Sequence, residues 1–264
     1  MNTPRPFRGL LDKLLSLIET KRPSDRFILR TLFFVMLFSG LATLVAFNNN
    51  VSSPTPISGG TLREGLVGTP RFVNPALAIT RVDQDVAALI YSGVMRIGSD
   101  GSLTPDIAES VTTSEDGLTY NIIIRKDVTF HDGTPLTARD VVFTYELIQN
   151  PDLKSPLKGN WNNVSIEQVN EYEINIVLRE AYAPFLENFL VGILPAHIWS
   201  SVAIEQLPFS QLNTEPIGSG PFVLKNTIRD ESGLINAYKL EANEKSRLSP
   251  HIKNMELSFY TEED

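Results

Sequence analysis

With 264 residues, 42% of them hydrophobic, the chain is long enough for one large domain or two small ones, and its 16 Gly and 17 Pro are far from collagen-like or disordered values. It holds no cysteine, which excludes disulfides, thiolate metal sites, a cysteine nucleophile and a lipid-modified N-terminal cysteine. The net charge of −8 conceals an asymmetry: residues 1–30 carry seven basic and three acidic groups, +4, leaving −12 for the remainder, an acidic body that argues against a nucleic-acid partner.

In the basic segment Phe7, Leu10, Leu11, Leu14 and Ile18 recur at helical spacing up to Pro23. A short basic amphipathic helix of this kind lies in a headgroup layer, and a solvated tail is the alternative. Thr31 to Phe47, "TLFFVMLFSGLATLVAF", is seventeen residues without a charge. As a helix it covers about 26 Å, and Phe27, Ile28 and Leu29 extend it to the roughly 30 Å of a bilayer core. The basic flank precedes the span, so residues 1–30 are expected in the cytoplasm and everything after Phe47 outside. The best cleavage point, Leu44-Val45-Ala46, lacks a small residue three before the cut. An uncleaved anchor is therefore expected, with a cleaved signal as the alternative. "NNNVSSPTPISGG", Asn48 to Gly60, reads as a linker, and the folded body is expected over 61–264.

In the body "TLREGLV" is the first apolar run, and "DQDVAALIYSGVMRI" reads as a helix with Val86, Leu89, Ile90 and Val94 on one face. "SEDG", Ser114 to Gly117, is a hairpin turn, followed by alternation that puts Tyr120, Ile122 and Ile124 on one face. In "FHDGTPLTARDV", Asp132-Gly133 is a turn, Thr137 a helix N-cap and Asp140 the acid of a capping box. The helix then runs from Ala138 to Gln149, with Ala138, Val141, Val142 and Tyr145 inward, until Asn150-Pro151 stops it. Alternation over Glu173 to Leu178 predicts another strand. Short helices are expected at Pro184 and Pro195, the second carrying His197 and Trp199. "IGSGPFVLK" is a glycine-rich entry to a strand, and "MELSFYT" a last strand. This order implies α/β or α+β.

Enzymatic motifs fail. Ser219 lies in Gly-Ser-Gly rather than Gly-x-Ser-x-Gly, and His131, His197 and His251 are far apart in sequence without a His-x-x-x-His pair. There is no Gly-x-x-x-x-Gly-Lys phosphate cradle. No catalytic residue, metal site or cofactor is expected, and a membrane-bound hydrolase is the reading these motifs disfavour.

The stretch "LTPDIAESVTTSEDGLTYNIIIRKDVTFHDGTPLTARDVVFTYE", Leu103 to Glu146, resembles the signature region of family 5 extracellular solute-binding proteins, the peptide- and nickel-binding receptors of ABC importers. "PALAITRVDQDVAALIYSGVMRI", "APFLENFLVGILPAHIW" and "PIGSGPFVLK" fit in order, the last with Ser219 where threonine is usual, so the resemblance runs from about Gly60 to Asp264. It implies a mixed α/β, bilobal fold of the periplasmic-binding-protein type II kind. Members of the family are longer, so only the N-terminal lobe is expected, behind one transmembrane helix. It further implies a non-enzymatic, membrane-anchored receptor for a peptide or similar small solute, outside the cell or in the periplasm, with ABC permease subunits as partners. A non-transport half-receptor or sensory ectodomain is the alternative. The family's loop after the first strand borders the cleft; here that is "EGLVGTPRFVNPAL", and Gly65, Leu66, Val67, Gly68 and Asn74 are the expected ligand contacts, or else an ordinary turn before Pro75. Gly218, Ser219 and Gly220 are a second candidate, or else a strand-entry turn. Trp161 either stacks on a ligand or packs in a loop.

Overall fold

The computed structural model describes residues 22–51 and 57–261. The basic amphipathic helix expected before Pro23 falls almost wholly outside them. The chain divides into a unit ending at Pro56 and a second beginning at Ile57.

The first unit contains helix α1, Pro23–Val51. It is apolar all round: Phe34, Val35 and Met36, successive residues about 100° apart around the helix, are each at least 59% exposed. Two of its polar side chains close on the helix itself, Thr31 Oγ1 donating to Phe27 O at 2.9 Å and Thr43 Oγ1 to Ser39 O at 2.8 Å. Residues 23–48 are long and apolar enough to cross a membrane, a test that a signal sequence also passes. The helix continues past Phe47 into the segment read as linker. Asn lowers helix propensity without stopping it, whereas the approach to Pro54 disfavours the helical conformation outright.

The second unit is mixed α/β. In chain order it contains β1 (Gly59–Val67), α2 (Arg81–Ile90), β2 (Met95–Ile97), β3 (Leu103–Pro105), β4 (Ala108–Thr113), β5 (Thr119–Ile124), α3 (Ala138–Gln149), β6 (Val164–Asn170), β7 (Glu173–Leu178), α4 (Ala196–Trp199), β8 (Phe222–Arg229), β9 (Ile235–Ala242) and β10 (Ile252–Tyr260). One sheet has the order β1-β10-β9-β8, with β1 parallel to β10 and the other pairs antiparallel. A second, antiparallel sheet has the order β4-β5-β7-β6, and β2 and β3 form a ribbon. Strand β1 begins two residues before the expected start of the body because Gly59 already pairs with Ile252.

One part of the core lies between the second sheet and α3, and it continues to Ile90 of α2 and to Tyr238, Leu240, Leu257 and Phe259 of the first sheet. Alternation delivers Tyr120, Ile122 and Ile124 from β5 and Ile174, Ile176 and Leu178 from β7, all buried. Trp161 packs rather than facing solvent: it is 1% exposed and stacks on Tyr145 of α3 at 4.0 Å, with Phe185 edge-on to Trp161 at 5.3 Å and Phe189 6.4 Å from both rings of the pair. Each such side chain contributes roughly 1.5–3 kcal/mol by burial. Among the expected inward residues of α3, Val142 is only partly buried, while Leu147 and Ile148 join the core.

Asp140 does more than close a capping box. Its Oδ2 accepts from Thr137 N at 2.9 Å, and its Oδ1 accepts from Ala196 N at 2.9 Å, tying the start of α3 to the start of α4. Thr144 Oγ1 donates to Asp140 O and accepts from Leu194 N. The helix expected over "DQDVAALIYSGVMRI" ends at Ile90, so Val94 is buried from an extended segment rather than from a helical face. Gly220 N donates to Ile90 O at 2.8 Å, and Gly93 bridges Gly192; both bonds form only where the chain leaves the helix.

Asp140→Ala orphans a buried N–H donor at Ala196 and a part-buried one at Thr137, each costing about 1–3 kcal/mol. Urea unfolding followed by the fluorescence of the buried Trp161 and Trp199 is expected to show a loss of about 2–4 kcal/mol, with Asp140→Asn retaining part of it.

Candidate functional site

Strands β1 and β10 run in the same direction, so their carboxyl ends open at one rim, the position that parallel strands offer to ligands. Strand β1 is the sheet edge, and its outer backbone groups face no other strand among the described residues. Gly65 lies beside Tyr260: a Cβ there would sit 3.1 Å from the ring. Leu66 is partly buried, Val67 is 53% exposed, and Gly68 turns the chain at φ +115° while its N–H donates to Tyr260 O at 2.7 Å. Only glycine adopts that conformation without strain.

The loop that follows is held from below. Asp83, fully buried in the first turn of α2, accepts from Arg71 N at 2.8 Å and Phe72 N at 2.9 Å through Oδ1, and from Thr80 Oγ1 at 2.7 Å through Oδ2. The β8–β9 turn reaches the same rim, because β9 starts where β10 ends. Between loop and turn lies a recess of about 320 Å³ lined by Thr69, Pro70, Arg71, Phe72, Arg229 and Leu234 among others. A larger recess, about 370 Å³, opens at the other end of this sheet around Ser58, Asn243 and His251.

Asn74 stands apart from the rim. It is 1% exposed, its Oδ1 accepts from Ala76 N, and its Nδ2 donates to Asn213 Oδ1 at 3.3 Å. Its side chain holds the turn before Pro75 and offers nothing to a solute. Gly218 and Gly220 are likewise packed: a Cβ would sit 2.1 Å from Ile90 O at Gly218 and 2.6 Å from Ile90 C at Gly220. Ser219 is 5% exposed and borders a recess of about 20 Å³ with Asp106 and Arg247. Burial there raises the Asp106 carboxyl above its ordinary range.

The histidine of "FHDGTPLTARDV" closes this glycine turn. Gly218 N donates to His131 Nδ1 at 3.3 Å, and Nε2 faces Gly220 O at 3.2 Å, so the neutral ring with its proton on Nε2 satisfies both. Burial holds His131 below its usual pKa, against the Gly220 carbonyl and Asp132. Asp132 accepts from Thr134 N and pairs with His197 Nε2 at 2.7 Å, a contact across 65 residues that sequence spacing concealed. Among the described residues no group of three or more His, Asp or Glu side chains is placed to hold a metal.

Tyr260, Arg71, Arg229 and Asp83 are the rim residues that sequence reasoning missed. Thr80-x-x-Asp83 was readable as a cap, since Asp83 N donates to Thr80 Oγ1. Nothing local marked the other three.

Gly218→Ala is expected to lose about 3 kcal/mol or more in urea unfolding, because the intruding methyl meets backbone rather than a movable side chain. His131, with its folded pKa depressed, contributes stability that is full above pH 6.5 and is lost as pH falls through the folded value. Unfolding midpoints compared above and below pH 6.5 should therefore fall on the acid side, and fall less in His131→Gln.

Sequence and structure comparisons place relatives beside this fold. A profile described as bacterial extracellular solute-binding proteins, family 5 Middle, matches residues 102–264. The oligopeptide-binding protein AppA of Bacillus subtilis is 34% identical over 197 residues, 73% of this chain and 35% of its own. Its solved structure, in complex with a nonapeptide, superposes with a TM-score of 0.71 at 31% identity over 78% of this chain and 41% of that one. NikZ from Campylobacter jejuni in complex with Ni(L-His) gives a TM-score of 0.66 at 30% identity over 76% and 39%. The chain spans about a third of the length of the curated relatives it matches. Its second unit has the fold of the N-terminal portion of type II periplasmic binding proteins, and the chain belongs to the bacterial extracellular solute-binding proteins, family 5.

Proposed function

We propose that the second unit forms one wall of a solute cleft, along the carboxyl ends of β1 and β10, in a non-enzymatic receptor that hands a peptide or similar small solute to an ABC permease. The observation that carries this reading is the bare edge of β1 at Gly65–Gly68, beside a recess, in a chain of the solute-binding family. Gly65 and Gly68 carry no side chain at this edge, and an extended peptide can add to such an edge through main-chain hydrogen bonds. Affinity then comes from backbone geometry, and selectivity from the recess beside it. The relatives support solutes of this kind: AppA is named for oligopeptides, and NikZ was solved with a nickel–histidine complex.

Helix α1 is proposed as an uncleaved anchor, with the basic residues before it in the cytoplasm and the second unit outside. Alkaline carbonate extraction of membranes should leave the intact chain in the pellet; recovery of a shortened chain in the supernatant would identify a cleaved signal instead.

Calorimetric titration of the detergent-solubilised chain with mixed short peptides is expected to give saturable heat. Gly65→Val is the informative variant. The added Cβ meets only the ring edge of the exposed Tyr260, so stability should change by no more than about 1 kcal/mol, while affinity should fall about tenfold or more as the bare backbone is covered. Saturable peptide binding that is indifferent to Gly65→Val would place the solute elsewhere, and absence of any heat would remove the receptor reading.

A further inference from the structure

The rim recess carries two arginines in a chain whose residues after position 30 sum to −12. The two are held differently. The Arg71 backbone is pinned by the bond from its N–H to Asp83 Oδ1 at 2.8 Å, and its exposed guanidinium lies 5.8 Å from the centre of the Phe72 ring. Among the described residues Arg71 takes part in none of the ion pairs. Arg229 is braced mostly by neutral oxygens: Nη1 donates to Gly233 O at 3.1 Å and Nη2 to Thr214 Oγ1 at 3.4 Å, with Glu215 farther off at 3.9 Å. Three of its five N–H groups are left over by those two bonds. Phe72, Leu234 and Pro208 supply apolar surface in the same recess.

One fixed and one adjustable guanidinium beside apolar walls suit a planar anion. A carboxylate accepts two parallel N–H bonds from such a fork, and partial exclusion of water strengthens the contact. A cationic solute would be repelled, and a neutral one would leave Arg71 without a counter-charge.

We propose that Arg71 and Arg229 form an anion subsite that takes a carboxylate of the bound solute, which in a peptide is the C-terminal group or an acidic side chain. This rests on the reading of the rim as a solute-binding wall. Arg71 makes the contact, and Arg229 both makes it and fixes the β8–β9 turn that closes the recess.

The test uses the detergent-solubilised chain and three pools of synthetic short peptides, scored by native mass spectrometry: free C-termini without acidic residues, the same peptides amidated, and amidated peptides containing Glu. Wild type should retain at least one carboxylate-bearing pool about tenfold better than the neutral amides. Preference for the free acids assigns the subsite to a C-terminus, and preference for the Glu amides assigns it to a side chain. Arg71→Ala should bring the preferred pool down to the level of the neutral amides, and Arg71→Lys should keep part of the preference. Because Arg71 makes no bond from its guanidinium to the fold, that variant should melt as wild type does, which keeps the test open if Arg229→Gln disorders the turn. Equal retention of all three pools by wild type, or a preference that survives Arg71→Ala, overturns the anion subsite while the receptor reading stands. Retention of no pool by wild type overturns both.

Discussion

The buried carboxylate of Asp83 is the interaction on which the rim depends. It sits at the start of α2 yet spends Oδ1 on two N–H groups of the loop leaving β1, and Oδ2 on Thr80. Removing it would strand two backbone donors in a part-buried setting, each a cost of about 1–3 kcal/mol. More than stability is involved: those bonds set the path of Arg71 and Phe72, and through them the shape of the recess. A loop whose own sequence is Thr-Pro-Arg-Phe has little reason to hold one conformation by itself.

At the opposite end of α2 the constraint is steric. Gly220 N donates to Ile90 O, and Gly218 and Gly220 let two stretches of backbone meet at distances no Cβ would tolerate. His131 locks the same turn from its other side, with both ring nitrogens engaged. Helix α2 is therefore a strut fastened at both ends, to the loop leaving β1 at its start and to the glycine turn at its finish. Of the polar groups that look chemical in the sequence, His131 is committed to this bracing, and Asp132 to Thr134 N and His197. At the rim, Gly65 lies against the Tyr260 ring and Gly68 turns the chain at φ +115°.

Much of the architecture was legible because it is local. Helix α3 lies where its cap, its Asp-Val-Val-Phe-Thr-Tyr periodicity and its terminating Asn150-Pro151 put it, since each signal acts within four residues. The alternations in β5 and β7 declare their buried faces for the same reason. The site was legible only in part. Gly65 to Gly68 lie at the rim, whereas Asn74, Gly218, Ser219 and Gly220 are enclosed. Glycine in a sequence announces freedom, and cannot say whether that freedom serves a ligand or a close crossing of the chain.

The amino-acid sequence by itself determined a long apolar helix near the N-terminus, a mixed α/β body with its turns and capped helix, and a family likeness spread over ordered motifs. Tertiary structure alone decided where α2 stops, that His197 meets Asp132, and that two arginines distant in sequence share one recess. The division is physical. Propensity, capping and alternation are set by neighbours along the chain, whereas exposure, charge pairing and the space left for a solute are set by whichever distant segments the sheet register brings alongside.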